Sequence, residues 1–292
     1  AIEADIIEEI LRLNGLDKIP YQAFKSINKI EKNNLDVKRE LRIKRLVASL
    51  GLNEIISWSF YGKKQAELFD LFEDIKIKNP ISENLNIMRA SLIPNLADLA
   101  INEQNQKHNI INIFEYGNIF TGSNEEDQKL AIAGLRMGRN SKKEINNDYR
   151  EQDVFDVKND VLAILEFLGL SEQKINYAKD NLAPYMHPGR AINLYLGKNL
   201  IAYFGELHPF IAKNYGFKQR INIFEIFIDN LPQIKAKKAN YQKYDLQKLE
   251  RDFCFILDQE IAAADVKKEI YKIDANLISE VSIFDLYQGD KL

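Results

Sequence analysis

Two strand-like segments separated by a short turn most constrain the fold of this chain. Ile192–Leu196 and Leu200–Phe204 have the β-branched and aromatic content of strands, and the sequence LGKN that links them suits a tight turn. Strands joined by so short a connection pair as an antiparallel hairpin. Because helical patterns alternate with such segments elsewhere in the chain, we expect an α+β fold with a mostly antiparallel sheet and flanking helices.

Apolar spacing and turn residues predict the remaining elements. In Val154–Leu168 the apolar residues Val161, Ile164 and Leu165 recur at helical spacing, which indicates an amphipathic helix. Pro94 suits the first turn of a helix that extends to Gln106. The other predicted helices are Ile2–Leu13, Lys38–Leu50, Lys63–Phe72 and Ala263–Ile273, and the other predicted strands are Glu54–Phe60, Ile110–Phe120, Leu130–Leu135, Ile221–Ile228, Asp252–Leu257 and Leu277–Leu286.

The composition excludes several classes of protein. No apolar run approaches the roughly 18 residues that a transmembrane helix requires, and the first residues lack the layout of a signal peptide, so we expect a cytoplasmic protein without membrane contact. The single cysteine, Cys254, lies in the apolar run FCFIL; it excludes an internal disulfide framework and predicts a buried thiol. The net charge of −3 says little about nucleic acid. Basic runs at Lys25–Arg45 and Lys235–Arg251 are typical either of solvated helix faces and linkers or of phosphate-contacting surfaces.

Two of the three histidines precede prolines in similar surroundings, in the sequences HPGRA and GELHP. His187 and His208 could form a catalytic pair or could each stabilise a turn. A catalytic pair needs a nucleophile or a metal within hydrogen-bonding reach and a third group that orients it, and the sequence offers only Glu206 nearby. We therefore predict two structural turns, with Arg190 pairing with a carboxylate such as that of Glu206, and no catalytic residue in this chain.

Three carboxylates in the first predicted helix have the spacing of a metal site. Asp5, Glu8 and Glu9 stand at positions i, i+3 and i+4, so Asp5 shares a helix face with both glutamates. Carboxylate oxygens suit a hard cation such as Mg²⁺. Acidic surface helices that bind no metal are common, so spacing alone leaves both interpretations open.

The order of several motifs resembles a known family. The chain contains DIIEEILRLNGLDKIP, NPISENLNIMRASLIPNL, INIFEYGNIF, FDVKNDVLAILEFLG, HPGRA, YFGELHP and SIFDLYQGDKL, in that order. Their order and spacing resemble the C-terminal part of bacterial phenylalanyl-tRNA synthetase β subunits over essentially the whole chain. The resemblance implies a class II aminoacyl-tRNA synthetase-like antiparallel sheet with flanking helices, followed by a partial ferredoxin-like βαβ unit.

The same resemblance implies a division into five segments. Residues 1–20 would end a winged-helix-like domain, and residues 21–37 would form a linker. Residues 38–233 would form a catalytically inactive class II synthetase-like module. Residues 234–241 would form a basic linker, and residues 242–292 the N-terminal half of a ferredoxin-like anticodon-binding domain.

The inactivity of the module is expected from residue types at the positions that hold ATP in class II synthetases. There, arginines in the second and third motifs neutralise phosphate charge. By resemblance, the loop of the second motif is Thr121–Asp127, which has three carboxylates and no arginine. In the third motif, Glu225 and Phe227 fall at the usual glycines and Asn230 at the usual arginine. We therefore expect no ATP site in this chain.

The resemblance implies a role as a partner rather than as a catalyst. The chain would be the non-catalytic β subunit that assembles with the α subunit into an α2β2 heterotetramer and helps to engage tRNA(Phe), while the α subunit uses ATP. Asp5, Glu8 and Glu9 match the last three carboxylates of a magnesium site that the family shares with the α subunit; the first carboxylate would precede Ala1. The helix at Lys38–Leu50 and the strand EIISWSF match the first class II motif, which either builds a subunit interface, as we favour, or packs within its own domain.

Two other functions remain open from the sequence. The chain could be an autonomous ATP-dependent ligase, which requires that it bind ATP. It could instead be a nucleic-acid-binding scaffold that uses the basic runs and has no synthetase partner. Binding of ATP would identify the first, and absence of an associated α subunit would favour the second.

Overall fold

The computed structural model describes residues 2–23, 35–71, 75–146, 149–232, 247–258, 260–274 and 276–287. It divides into two compact units, Ala1–Glu40 and Leu41–Leu292. The helices are α1 (Glu3–Asn14), α2 (Leu35–Ser49), α3 (Lys63–Leu68), α4 (Ile93–Asn105), α5 (Val154–Phe167), α6 (Pro209–Tyr215) and α7 (Ala263–Ile273). The strands are β1 (Asn53–Glu54), β2 (Phe60–Tyr61), β3 (Ile87–Met88), β4 (Ile111–Phe120), β5 (Gln128–Met137), β6 (Asn176–Ala178), β7 (Met186–Leu196), β8 (Asn199–Leu207) and β9 (Ile221–Phe227).

Seven strands form the main sheet, in the order β1-β4-β5-β9-β8-β7-β6. All neighbours in it are antiparallel except β1 and β4, which are parallel. The predicted hairpin is confirmed as β7–β8, in which Leu196 pairs with Asn199 across a two-residue turn. Gly197 has a φ of 63° at the first turn position, a conformation that glycine adopts without strain. The predicted mostly antiparallel α+β fold is therefore confirmed.

Helices cover both faces of the main sheet. On one face, α4 packs through Leu96, Ala97 and Ala100 against β4, β5 and β9. On the other face, α5 packs through the predicted residues Val161, Ile164 and Leu165. The module has an apolar core on each side of the sheet because both faces carry buried apolar side chains.

Helix α2 packs on the α5 side of the sheet. Ile43 and Val47 are fully buried there, whereas Leu41 is exposed. The helix ends where Gly51 takes a φ of 87°, as expected of a helix-terminating glycine.

A buried ion pair ties α5 to the sheet. Arg136 of β5 donates from Nε and Nη2 to the two carboxylate oxygens of Asp160 on α5, at 2.6 and 2.8 Å. Its Nη2 also donates to the carbonyl oxygen of Leu50, just after α2. Such a fork fixes orientation as well as distance, so this one arginine holds both helices on the same side of β5.

The predicted strand Glu54–Phe60 is wrong in its middle, where the structure has two short strands, β1 and β2. Pairing with β4 continues as far as Ile55, whose N–H donates to the carbonyl oxygen of Phe114 at 2.8 Å. At Ser57, the backbone N–H and the hydroxyl both donate to the carboxylate of Glu115, at 3.3 and 2.6 Å. The Glu115 side chain thus replaces the β4 backbone as the acceptor for the N–H of Ser57, so the pairing with β4 ends there.

The predicted strands Asp252–Leu257 and Leu277–Leu286 are also wrong, whereas the helix between them is confirmed as α7. Neither segment pairs with another strand among the described residues, so neither has a ladder partner. Cys254 is consequently exposed instead of buried.

Several predictions lie wholly or partly outside the described residues. They include the linker 234–241, most of the linker 21–37 and most of the basic run Lys235–Arg251. The five-segment division stays a prediction. None of the described helices combines the length and the apolar character needed to cross a bilayer.

Candidate functional site

A fully buried carboxylate, Glu225 of β9, lies between the sheet and the beginning of α4. It accepts hydrogen bonds from the backbone N–H of Leu92 at 2.8 Å, from the hydroxyl of Ser91 at 3.0 Å, and from the hydroxyl of Tyr203. Burial raises its pKa above the usual 4.5, while the bond from Leu92 is the strongest opposing influence. A buried carboxylate with three donors is satisfied by the protein itself and has little capacity left for a ligand.

The position of Glu225 explains why α4 begins where it does. Leu92 is the N-cap of this helix, and its side chain cannot accept a hydrogen bond from the first turn. Glu225 of strand β9 supplies the acceptor for the N–H of Leu92. The hydroxyl of Ser91 accepts from the N–H of Ile93 at 3.1 Å. Negative charge at a helix N-terminus is also favoured by the helix dipole. The sheet therefore caps α4.

Tyrosines and a phenylalanine fill the space beside Glu225. The hydroxyls of Tyr203 and Tyr185 lie 2.7 Å apart, and the ring of Phe227 packs edge-on against Tyr203 at 6.0 Å between centroids. Because the Tyr203 hydroxyl donates to Glu225, the Tyr185 hydroxyl is the donor to Tyr203. Burial is the largest cause that raises the pKa of both tyrosines, so both stay protonated as donors.

An arginine that the sequence interpretation missed lies on the same face of the sheet. Arg89 is buried and donates to the carboxylate of Glu115 at 2.7 Å and to the carbonyl oxygen of Asn118 at 2.8 Å. A Cβ atom at Gly117 would lie 2.5 Å from its Nη2, so the guanidinium occupies the space that this glycine leaves. The charge of Arg89 is balanced within the chain, and its Nε and Nη1 atoms donate to acceptors of the chain.

The residues predicted to have replaced an ATP site lie at this face and at its edge. Glu225 and Phe227 point to the covered side, where they pack as described above. The Asn230 amide donates to the carbonyl oxygen of Leu200 at 2.8 Å. The acidic loop joins β4 to β5, and in it Asp127 accepts from the N–H of Asn124 at 2.9 Å, while Glu126 is exposed. That these residues stand where an ATP site would otherwise lie stays a prediction.

Each of the two histidines accepts a hydrogen bond within its own turn. Nδ1 of His187 accepts from the N–H of Gly189 at 3.0 Å. Nδ1 of His208 accepts from the N–H of Phe210 at 3.1 Å, which makes His208 the N-cap of α6. The predicted ion pair between Arg190 and Glu206 is present at 2.8 Å.

The three carboxylates predicted to bind magnesium lie exposed on α1, in the first compact unit. Asp5 accepts from the N–H of Ile2 at 2.8 Å and so caps its own helix, and Glu9 pairs with Arg12 at 2.6 Å. No group of three histidine, cysteine or acidic residues in the described ranges is arranged to hold a metal. As placed here, Asp5, Glu8 and Glu9 do not form a complete metal site on their own.

The residues that sequence reasoning missed left a weak signal. Arg89 and Glu115 are charged residues in otherwise apolar, strand-like runs, a pattern that indicates a buried pair. Ser91 stands shortly before Pro94, where a helix-initiating hydroxyl is common. Tyr185 and Tyr203 gave no signal, because any strand tyrosine could belong to the apolar core.

Comparison with protein families gives two matches. Residues 19–228 match the family described as the phenylalanyl tRNA synthetase beta chain CLM domain. Residues 245–292 match the ferredoxin-fold anticodon binding domain. The first match covers most of the chain.

Individual relatives agree with these matches. The phenylalanine–tRNA ligase beta subunit of Rickettsia typhi is 37% identical over 293 residues, which cover 99% of this chain and 36% of that protein. The subunit of the same name from Rhodopseudomonas palustris is 33% identical over 298 residues, which cover 98% of this chain and 37% of that protein. The chain spans little more than a third of the length of these relatives. A crystal structure of pyrrolysyl-tRNA synthetase from Desulfitobacterium hafniense is similar over 77% of this chain and 72% of that one, with a TM-score of 0.49 and 11% identity.

The raised pKa of Glu225 predicts a pH-dependent contribution to stability. Since the native state holds this proton more tightly than the unfolded state, the contribution is full below pH 4.5 and is lost as the pH rises through the native pKa. Relative to Glu225→Gln, the wild-type free energy of unfolding should fall by up to about 1.4 kcal/mol per pH unit over that window. Urea unfolding of both proteins at a series of pH values measures this difference.

The exposed Glu126→Gln serves as the matched control, because it makes the same chemical change at a side chain in contact with solvent. Other titrating groups such as Asp98 and Asp160 are the same in all three proteins and cancel. A Glu225→Gln difference that does not change between about pH 4 and pH 8 would contradict the assignment.

Proposed function

Because the chain belongs to the phenylalanyl-tRNA synthetase β-chain family, we propose that it acts as the β subunit of phenylalanine–tRNA ligase, as a non-catalytic partner. The α subunit would carry out the ATP-dependent attachment of phenylalanine to tRNA(Phe), and the two chains would assemble as an α2β2 heterotetramer. Its place would be the cytoplasm, where translation occurs. Since the chain matches little more than a third of its relatives' length, the role of the whole protein is part of this proposal.

The observation that carries the proposal is the occupied face of the sheet beside α4. Adenylation needs cations placed against the phosphates and open backbone beside the nucleotide. At this face Glu225 is bonded to the start of α4, Phe227 packs on Tyr203, and Arg89 is paired with Glu115. These contacts favour a structural role for the module over an autonomous ligase.

An exposed apolar surface supports docking of a partner. Between β1 and β2, Ile56 is 90% exposed and Trp58 is 63% exposed, and the Trp58 ring stacks on that of Phe60 at 5.9 Å. Tryptophan is enriched at the energetic centre of protein interfaces. We infer that this surface, Ile56 and Trp58, contacts the α subunit. In α2, by contrast, Ile43 and Val47 are buried within the module, so only part of its apolar stripe is left for an interface.

The match of residues 245–292 to an anticodon-binding domain supports contact with tRNA. Within that match Phe253 and Phe255 are exposed, with their rings stacked at 6.3 Å between centroids. Exposed aromatic rings are the surfaces on which unpaired RNA bases stack. We infer that this part of the chain helps to engage tRNA(Phe).

We also propose that Asp5, Glu8 and Glu9 bind Mg²⁺ together with ligands from the α subunit. The support is the shared helix face of three hard oxygen donors and the family resemblance. Asp5 accepts a hydrogen bond from Ile2 and Glu9 pairs with Arg12, so a bound ion would have to displace these two contacts. Exposed ion pairs contribute little free energy, so their displacement costs little.

Substitution of Trp58 tests the proposed role directly. When the chain is mixed with the α subunit of the same organism, the wild type should form a complex that charges tRNA(Phe) in an ATP-dependent reaction. Trp58→Ser should weaken assembly by about thirtyfold, because loss of a central interface tryptophan costs about 2 kcal/mol. Light scattering after size-exclusion chromatography measures the complex.

Ile145→Ser is the control, since Ile145 is also an exposed apolar residue but lies in the segment after β5. It should assemble as the wild type does. A wild-type chain that binds no α subunit would contradict the proposed function. Normal assembly of Trp58→Ser would contradict only the docking surface.

The magnesium proposal predicts that Mg²⁺ strengthens α-subunit binding to the wild type. In Glu8→Gln/Glu9→Gln this effect should disappear, because a neutral amide is a poor ligand for a hard cation. The dissociation constant measured with and without Mg²⁺ gives the readout. Glu3→Gln, on the same helix, is the control and should retain the effect. A double variant that responds to Mg²⁺ as fully as the wild type would overturn the assignment.

A further inference from the structure

A cleft lined by basic side chains opens at one end of the main sheet, away from the residues discussed so far. It has a volume of about 670 Å³ and lies between the ends of β5 and β8, the start of β9 and helix α6. We call it the basic cleft. Its charged lining residues are Arg139, Lys213, Lys218, Arg220, Glu151 and Glu206. An adjoining cavity of about 490 Å³ shares Arg139 and adds Lys142 and Lys143.

The basic cleft carries a strong excess of positive charge. Glu206 is already neutralised by its ion pair with Arg190 at 2.8 Å, which leaves Glu151 as the acid opposed to six cations. Within the described ranges, no ion pair involves Lys142, Lys143, Lys213, Lys218 or Arg220. Cations gathered without partners repel one another, so the arrangement is most stable when an anion is bound.

The topology of the sheet brings these cations together. Met137 at the end of β5 pairs with Ile221 at the start of β9, so the basic segments that follow β5 and precede β9 meet at one end of the sheet. They are far apart in the sequence, and no motif links them. The cleft is therefore a product of the fold and not of a local charge run.

The segment that follows β5 forms one wall of the basic cleft, and contacts within the chain hold it in place. Gly138 has a φ of 93°, and a Cβ atom there would lie 1.9 Å from the carbonyl oxygen of Asn109, so only glycine fits. The side chain of buried Gln152 donates to the carbonyl oxygen of Arg139 at 3.1 Å, and the guanidinium of Arg139 lies over the ring of Tyr149 at 4.1 Å. A fixed cation costs little further ordering when a ligand binds.

The form of the cleft favours a long polyanion over a small ligand. The cations extend across two adjoining cavities, and all except half-buried Arg139 are exposed, as in a surface that follows a phosphate backbone. Aromatic rings lie beside these cations: Tyr149 is exposed, and half-buried Phe217 stacks on Tyr215 at 5.6 Å between centroids. Cations interleaved with aromatic rings are typical of RNA-binding grooves rather than of sites for acidic peptides.

We propose that the basic cleft binds the sugar-phosphate backbone of RNA. This proposal rests on the proposed function, under which the RNA is tRNA(Phe). The synthetase-like module then contacts tRNA(Phe) at a surface separate from the anticodon-binding domain. Lys213, Lys218 and Arg220 supply phosphate contacts on one wall, and Arg139, Lys142 and Lys143 supply them on the other. This contact contributes affinity and orientation but no sequence readout.

The salt dependence of tRNA binding tests the proposal. The chain assembled with the α subunit is titrated with fluorescent tRNA(Phe) over a range of NaCl concentrations, beside the variant Lys213→Ser/Lys218→Ser/Arg220→Ser. If these three residues contact phosphates, the slope of log affinity against log salt should decrease by about two to three, and affinity near 0.1 M salt should fall at least about tenfold.

Lys174→Ser/Lys179→Ser/Lys198→Ser is the matched control, because it removes the same charge from exposed lysines elsewhere on the module. It should keep the wild-type slope. Thermal unfolding of each variant excludes misfolding, and the single substitution Lys218→Ser, which should lower the slope by about one, replaces the triple variant if that fails to fold. An unchanged slope in the cleft variants, or an equal decrease in the control, would overturn the proposal.

Two further outcomes separate this proposal from its alternatives. If the cleft variant binds tRNA normally but no longer assembles with the α subunit, the cleft takes an acidic protein surface and the RNA proposal is wrong. If the wild-type chain fails to assemble with the α subunit, the proposed function fails. The same salt titration on the chain alone, with the same variants, then decides whether the cleft binds RNA.

Discussion

The bond between Glu225 and the start of α4 is the interaction on which the synthetase-like module depends. A carboxylate cannot be buried without partners, and here the partners are the first turn of a helix and a tyrosine hydroxyl. Helix α4 in turn lacks a side-chain cap of its own. The first turn of α4 supplies donors to the carboxylate, and the carboxylate supplies the acceptor that the helix lacks. The helix is therefore fixed over the sheet and covers the face beneath it.

Charged pairs on the two faces of the sheet have related roles. Arg136 and Asp160 hold α5 on one face, and Arg89 and Glu115 stabilise the other. Glu115 also binds Ser57, which ends the pairing of β1 with β4 shortly before Trp58. The exposed surface at Ile56 and Trp58 is thus connected to the buried pair, and the residues that close the sheet face also shape the proposed docking surface.

The sequence predicts local elements well and long-range partners poorly. Hairpin β7–β8, helices α5 and α7 and the turns at His187 and His208 follow from turn residues and apolar spacing, which are local properties. The pairing of Glu225 with α4 joins residues 133 positions apart, and nothing in either segment indicates the other. The basic cleft is likewise formed by the register of β5 and β9. The segments Asp252–Leu257 and Leu277–Leu286 have strand composition, but a strand also needs a partner, and they have none among the described residues.

We propose that the sheet face beside α4 holds internal contacts in place of a nucleotide site. Calorimetric titration of the chain alone with ATP and Mg²⁺ tests it most directly, since no α subunit is present to bind the nucleotide. We expect no saturable binding, with any dissociation constant above about 1 mM. Saturable binding with a dissociation constant of about 1 to 100 μM, abolished by substitution of Arg89, would show that the arginine holds phosphate and would contradict the account.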